Sequence, residues 1–290
     1  MMRNAIRVAG LMMLAALAQP AEARRGHAVA TAAKPAEIWY TEQFVVHSKA
    51  AGRDYLIQVA KPFIDKGAKA PAIYVMDGNL AFGVAEGIMG PDGAVGSMQA
   101  SFIVGVGYPG ISKADWLTRR NADLLFDPVT SDGVTAGGDG AKFERFLTEE
   151  LRPLIEKRYA ADPHKAILAG QSFGGLFAAH VLLNDPKAFD GYVIGSPSVW
   201  AEPGLLKKAA AFSAPAKIPV FIGVGAEEAH QWDDEFHMVS NTEALAAKLS
   251  DHAANIDMKL WIVPDENHFT VAVPFYERGF RFVLPAAGTE

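Results

Sequence analysis

Apolar and polar residues alternate over Arg53–Ala60, where Tyr55, Ile57 and Val59 fall on one side of an extended chain. That period of two predicts a half-buried strand. Other apolar runs are continuous: Ala72–Met76, Ser101–Val106 and Val220–Val224. Unbroken runs of this length predict central parallel strands covered on both faces. Shorter runs at Ala166–Ala169, Tyr192–Ile194 and Lys259–Val263 fit the same role. Between the runs the period changes. Over Ala141–Tyr159, the residues Phe143, Phe146, Leu147, Leu151, Leu154 and Ile155 return at helical spacing. Thr242–Leu249 and Phe275–Leu284 read as helices too. Strands alternating with helices predict an α/β fold with a mostly parallel central sheet flanked by helices on both faces. Gly107–Gly140, rich in Gly and Asp, is expected to be loop over the carboxyl end of that sheet.

The amino terminus breaks the pattern. Arg3 and Arg7 precede an apolar run from Val8 to Ala18, and Ala21-Glu22-Ala23 follows it. A positive start, an apolar core and a small-x-small end are the parts of a secretory signal. The run is shorter than the roughly 20 residues that cross a bilayer as a helix. Residues 1–23 are therefore expected to be a signal peptide, residues 24–39 a flexible leader, and residues 40–290 one α/β domain without repeat or linker. The signal implies a periplasmic or secreted bacterial protein with no stable membrane insertion once it is removed; an uncleaved anchor is the alternative.

Composition narrows the chemistry. Half of the 290 residues are hydrophobic, enough for a large core. The balance of 27 basic against 33 acidic residues argues against a nucleic-acid partner. Cysteine is absent, which excludes disulfides, thiolate metal sites and cysteine nucleophiles.

Gly170-Gln171-Ser172-Phe173-Gly174 is a G-x-S-x-G sequence between an apolar strand and a helical stretch. In that context the pattern predicts a nucleophile elbow, a sharp turn that presents the serine at its apex. A hydroxyl is a weak nucleophile at neutral pH and needs a base. In α/β-hydrolases the acid and then the histidine follow the serine. Of the histidines beyond the helix after Ser172, namely His230, His237, His252 and His268, only His268 stands in a polar loop directly after a strand and before the last helix. It is the expected base. The acid is expected after the strand PVFIGVG, where Glu227 and Glu228 are adjacent; Asp233, Asp234 and Asp265 are reserves. Neighbouring residues at a strand end point opposite ways, so one glutamate at most faces the histidine. The oxyanion of an acyl-transfer intermediate needs amide donors. Phe173, after the serine, and Gly78, in the turn Asp77-Gly78-Asn79, are the candidates.

Six segments together resemble the esterase branch of the α/β-hydrolases that includes esterase D and the siderophore trilactone esterases. They are YVMDGN at 74–79, VGYP at 106–109, RRNADL at 119–124, the helical stretch 137–159, residues 170–200 with their SPS-W ending, and NHF at 267–269. The resemblance runs from about residue 40 to 284. It implies an α/β-hydrolase fold and a serine carboxylesterase working through an acyl-enzyme, with the triad on Ser172, His268 and Glu228 of the G-x-x-E stretch. The SPS-W segment and the pair Arg120 and Asp123 point toward siderophore esters. Feruloyl, acetyl or general short-acyl esters, and acyl transfer to another hydroxyl, are alternatives within the fold; an inactive ligand-binding protein is the alternative outside enzymes. No cofactor or metal is expected, and the partner is a small-molecule ester.

Other signals carry less. Gly105–Gly110 matches G-x-G-x-x-G, but Pro109 and the residues after it do not open a glycine-tight helix. His230 and His237 flank Asp233, Asp234 and Glu235 without a metal-ligand spacing. Trp200, Trp232 and Phe126 are candidates to line an acyl pocket. Arg119 and Arg120 are candidates to meet an anionic substrate, Arg120 alternatively forming a surface ion pair with Asp123.

Overall fold

The computed structural model describes residues 37–110, 112–131, 134–251 and 255–286. The expected signal peptide, residues 24–36 of the leader and His252 lie outside the described residues. The described residues from Ile38 onward form one compact unit.

The strands are β1 (Thr41–Ser48), β2 (Arg53–Ala60), β3 (Ala70–Val75), β4 (Phe102–Gly107), β5 (Val129–Ser131), β6 (Val134–Ala136), β7 (Ala161–Gln171), β8 (Gly191–Gly195), β9 (Ile218–Gly225) and β10 (Ile256–Val263). Among the described residues, eight of them form a sheet in the order β1-β2-β4-β3-β7-β8-β9-β10, and β5 and β6 pair separately. From β4 to β10 the pairings are parallel. β2 joins antiparallel to β4, and β1 antiparallel to β2. Every apolar run expected to be a strand falls on one of these strands.

The helices are α1 (Gly78–Ala94), α2 (Lys113–Leu124), α3 (Gly140–Arg145), α4 (Arg152–Arg158), α5 (Phe173–Asn184), α6 (Leu205–Ala210), α7 (Met238–Ser250) and α8 (Ala272–Val283). Side chains alternate across a strand, and the alternation sorts them into two cores. Ile73, Val75, Ile167, Ala169 and Phe221 pack with Phe82 and Met89 of α1 and Phe275 and Phe280 of α8. Tyr74, Leu168, Tyr192 and Ile222 pack on the other face with Phe146, Phe177 and Leu245.

Several elements differ from expectation. The stretch expected as loop contains α2, begun by Ser112, whose Oγ accepts from the Asp115 amide at 3.2 Å. This Ser-x-x-Asp start is a capping signal; the surrounding Gly and Asp hid it. α1 was not legible, because its sequence carries Gly83, Gly87, Gly90, Pro91 and Gly93. Packing overrides propensity there: Phe82 sits so close to Gly105 of β4 that a Cβ at Gly105 would lie 3.0 Å from it. The helix expected over Ala141–Tyr159 is interrupted by a π-helical turn at Phe146–Leu151. The buried positions Phe143, Leu147, Leu151 and Ile155 repeat every four residues, a period that an α-helix overshoots by about 40° per step. The wider turn absorbs the drift.

Candidate active site

Ser172 stands at the end of β7, where Gln171 pairs with Gly195 of β8, and it precedes α5. Its backbone has φ +60° and ψ −125°, a conformation costing about 1–3 kcal/mol outside glycine. The turn is held from both sides. The Ser172 amide donates to Gly195 O at 2.9 Å, and Ser172 O accepts from the amides of Leu176 at 2.9 Å and Ser198 at 3.3 Å. A Cβ on Gly170 would meet Gly174 O at 2.3 Å, and one on Gly175 would meet Gly195 O at 2.3 Å. The glycines let strand and helix approach closely enough to form the elbow.

His268 arrives from the loop between β10 and α8. Its Nδ1 lies 2.7 Å from Glu228 Oε2, in a turn after β9 spanning Ala226–Ala229. Glu228 is fully buried at 0% exposure, while Glu227 is exposed. The second oxygen of Glu228 accepts from Ser196 Oγ at 2.6 Å and from the Gly225 amide at 2.9 Å. A buried carboxylate requires such donors. Gly225 has a further role: a Cβ there would come within 2.3 Å of Glu266 O, so its absence admits the loop that carries His268. The histidine backbone is fixed as well. Its amide donates to Gln231 Oε1 at 2.9 Å, and its carbonyl accepts from Gln171 Nε2.

Ser172 and His268 line one cavity of about 460 Å3, whose wall also includes Asp77, Leu80, Trp116, Leu117, Arg120, Phe269 and Tyr276. Phe173 opens α5 and Gly78 opens α1, so both amides belong to first turns that lack intrahelical acceptors. Gly78 itself is buried against β4, where a Cβ would lie 2.7 Å from Val106 N. Asn79 Oδ1 accepts from the Tyr108 amide at 2.7 Å, tying this turn to the one after β4.

Arg120 does not pair with Asp123, nor is it at the surface. Its Nε and Nη2 donate to the two oxygens of Asp77 at 2.7 and 2.9 Å, and its guanidinium lies over the rings of Trp116 and Phe173. Asp123 accepts from Arg53 Nη1 at 3.0 Å and from the Tyr108 hydroxyl at 3.1 Å. The two residues are neighbours on α2, but each is claimed by a different strand end. Burial pushes the Asp123 carboxyl up to about 6, against the opposing pull of Arg53.

The three aromatic candidates part company. Trp232 stands edge-on to the His268 ring at 5.3 Å. Trp200 is outside the cavity wall, between Phe173 at 5.8 Å and Phe236 at 4.6 Å. Phe126 belongs to the core, stacked on His180 at 3.4 Å. His237 pairs with Asp234 at 3.2 Å. Asp77, Ser196, Gln171 and Gln231 escaped sequence reasoning. Ser196 left a signal as the first serine of the SPS-W segment, Asp77 in the turn Asp77-Gly78-Asn79 and Gln171 inside G-x-S-x-G, but Gln231 left none.

The sheet order, the elbow after β7 and a histidine loop before the last helix define an α/β-hydrolase. Comparison with known proteins agrees. A crystal structure of the BES protein from Bacillus cereus superposes with a TM-score of 0.75 at 30% identity, covering 88% of this chain and 98% of that one. The model of a family described as "Putative esterase" matches residues 48–253. The ferri-bacillibactin esterase BesA of Bacillus subtilis is 30% identical over 268 residues, 86% of this chain and 91% of that protein. The siderophore triacetylfusarinine C esterase of Aspergillus fumigatus is 30% identical over 241 residues, 77% of this chain and 82% of that one. The chain belongs to this esterase family, and its class is carboxylic ester hydrolase.

Proposed function

We propose that the protein is an exported serine esterase that cleaves siderophore esters through an acyl-enzyme. The observation that carries the catalytic reading is the contact of His268 Nδ1 with a fully buried Glu228 at 2.7 Å, beside a serine at a strained elbow in the same cavity. Glu228 accepts a hydrogen bond from Nδ1–H and so leaves Nε2 as the proton acceptor. Ser172 Oγ attacks the ester carbonyl carbon and its proton passes to His268 Nε2. The amides of Phe173 and Gly78 donate to the oxygen that becomes negative. Collapse breaks the bond to the leaving alkoxide, which takes the proton from Nε2. Water then repeats the cycle on the acyl-serine and releases the acid.

The siderophore reading draws on relatives from a bacterium and a fungus whose names carry that activity. Export draws on Arg3, Arg7, the Val8–Ala18 run and Ala21-Glu22-Ala23. Among the described residues, no helix is long and apolar enough to cross a membrane. Ser172→Ala is expected to abolish hydrolysis of a 4-nitrophenyl acyl ester and of an iron-chelating trilactone, the latter followed by chromatography of its linear fragments. An unchanged rate in the variant would overturn the catalytic reading. An intact trilactone with rapid feruloyl ester cleavage would overturn the substrate. Sequencing of exported protein is expected to begin at Arg24.

A further inference from the structure

The cavity wall is charge-balanced and its mouth is apolar. Apart from His268, the acidic and basic side chains of the wall are Asp77 and Arg120, and these two are joined in a two-bond ion pair. Around the opening, Leu80 of α1 is 67% exposed and Phe269 is 75% exposed, with Leu117 of α2 also exposed. Three separate chain segments thus bring large apolar side chains to the rim of one cavity. Contiguous apolar surface of this kind marks a binding site rather than chance exposure. Arg119, beside Arg120 on α2, is outside the wall. The protein as a whole carries an excess of six negative charges.

We propose that this site, read as an esterase site as above, selects esters whose acyl part is uncharged and apolar, and rejects anionic ones. An anion entering the cavity would lose its water against Leu80, Leu117 and Phe269 without gaining a free cation, a loss that buried charge does not recover unless it is paired. The Arg120 guanidinium does not supply that pairing, because Asp77 already holds it. A neutral ester loses little on entry and buries its apolar arms on the rim. Among iron-chelating esters this favours those without net charge over polyanionic chelates.

The test uses the full-length mature protein and two acyl esters of equal chain length, 4-nitrophenyl hexanoate and mono-4-nitrophenyl adipate, at neutral pH. The expected kcat/KM is about 100-fold lower for the anionic ester. Leu80→Lys places a cation at the rim and is expected to narrow that ratio about fivefold. Added salt is expected to leave the hexanoate rate unchanged and not to depress the adipate rate. A ratio within about threefold of unity, a ratio untouched by Leu80→Lys, or an adipate rate that falls with salt through steering by Arg119 would each overturn the proposal. Absence of turnover on both esters would instead reject the esterase reading, and this inference with it.

Discussion

Glu228 faces His268 with one carboxylate oxygen and, with the other, accepts from Ser196 Oγ and the Gly225 amide. One side chain therefore orients the imidazole and caps the turn Ala226–Ala229 on which Glu228 itself stands. Replacing it with an amide keeps the shape but offers a donor where Nδ1–H needs an acceptor. Glu228→Gln is expected to lower kcat on the order of 10³-fold with KM little changed. Glu227→Gln, at an exposed position, is expected to stay within about twofold. Steady-state rates of the two variants check the assignment; the reverse ranking would move it to Glu227.

Ser196 acts through Glu228. Ser196→Ala removes a donor to a buried carboxylate, a loss of about 2 kcal/mol. Its expected signature is a kcat lowered about tenfold and a lower Tm, with Ser172 still reactive toward a fluorophosphonate. A wild-type kcat would show that the 2.6 Å bond does not position the carboxylate.

Asp77 and Arg120 are both largely buried, so breaking the pair leaves a charge uncompensated. Asp77→Asn is expected to cost roughly 3 kcal/mol in urea unfolding, and Asp77→Asn with Arg120→Met to recover much of it. Additive losses would mean that the two residues do not stabilise each other.

Glu144 offers a pH test remote from the cavity. Burial, helped by nearby Asp185, pushes its carboxyl up to about 7 from 4.5. The folded state thus binds this proton more tightly than the unfolded one, and stability is lost as pH rises from 4.5 through 7. Glu144→Gln removes that loss. Its Tm advantage over the wild type is expected to be full above pH 7 and to vanish below 4.5. An advantage that does not depend on pH would contradict the shift.

The elbow was legible because its requirements are local: glycines where strand and helix crowd, and a strand on one side with a helix on the other. The apolar strands were legible for the same reason. β1 was not, since TEQFVVHS lies at the sheet edge with one side in water. Nor was α1, whose glycines serve contacts with β4 that only the folded sheet creates. The ion pair of Arg120 spans 43 positions to Asp77, while its helical neighbour Asp123 offered a closer and mistaken partner. Sequence spacing on one helix reports proximity, not which of several neighbours a buried charge selects.

The central claim is that Ser172 becomes acylated with His268 as its base. Intact-mass spectrometry after brief mixing with a slowly deacylating aryl ester reads this directly. One acyl group per chain is expected, located by fragmentation on Ser172, absent in Ser172→Ala and formed on the order of 10³-fold more slowly in His268→Ala. Ester turnover with no adduct at Ser172, and an undiminished rate in Ser172→Ala, would contradict it.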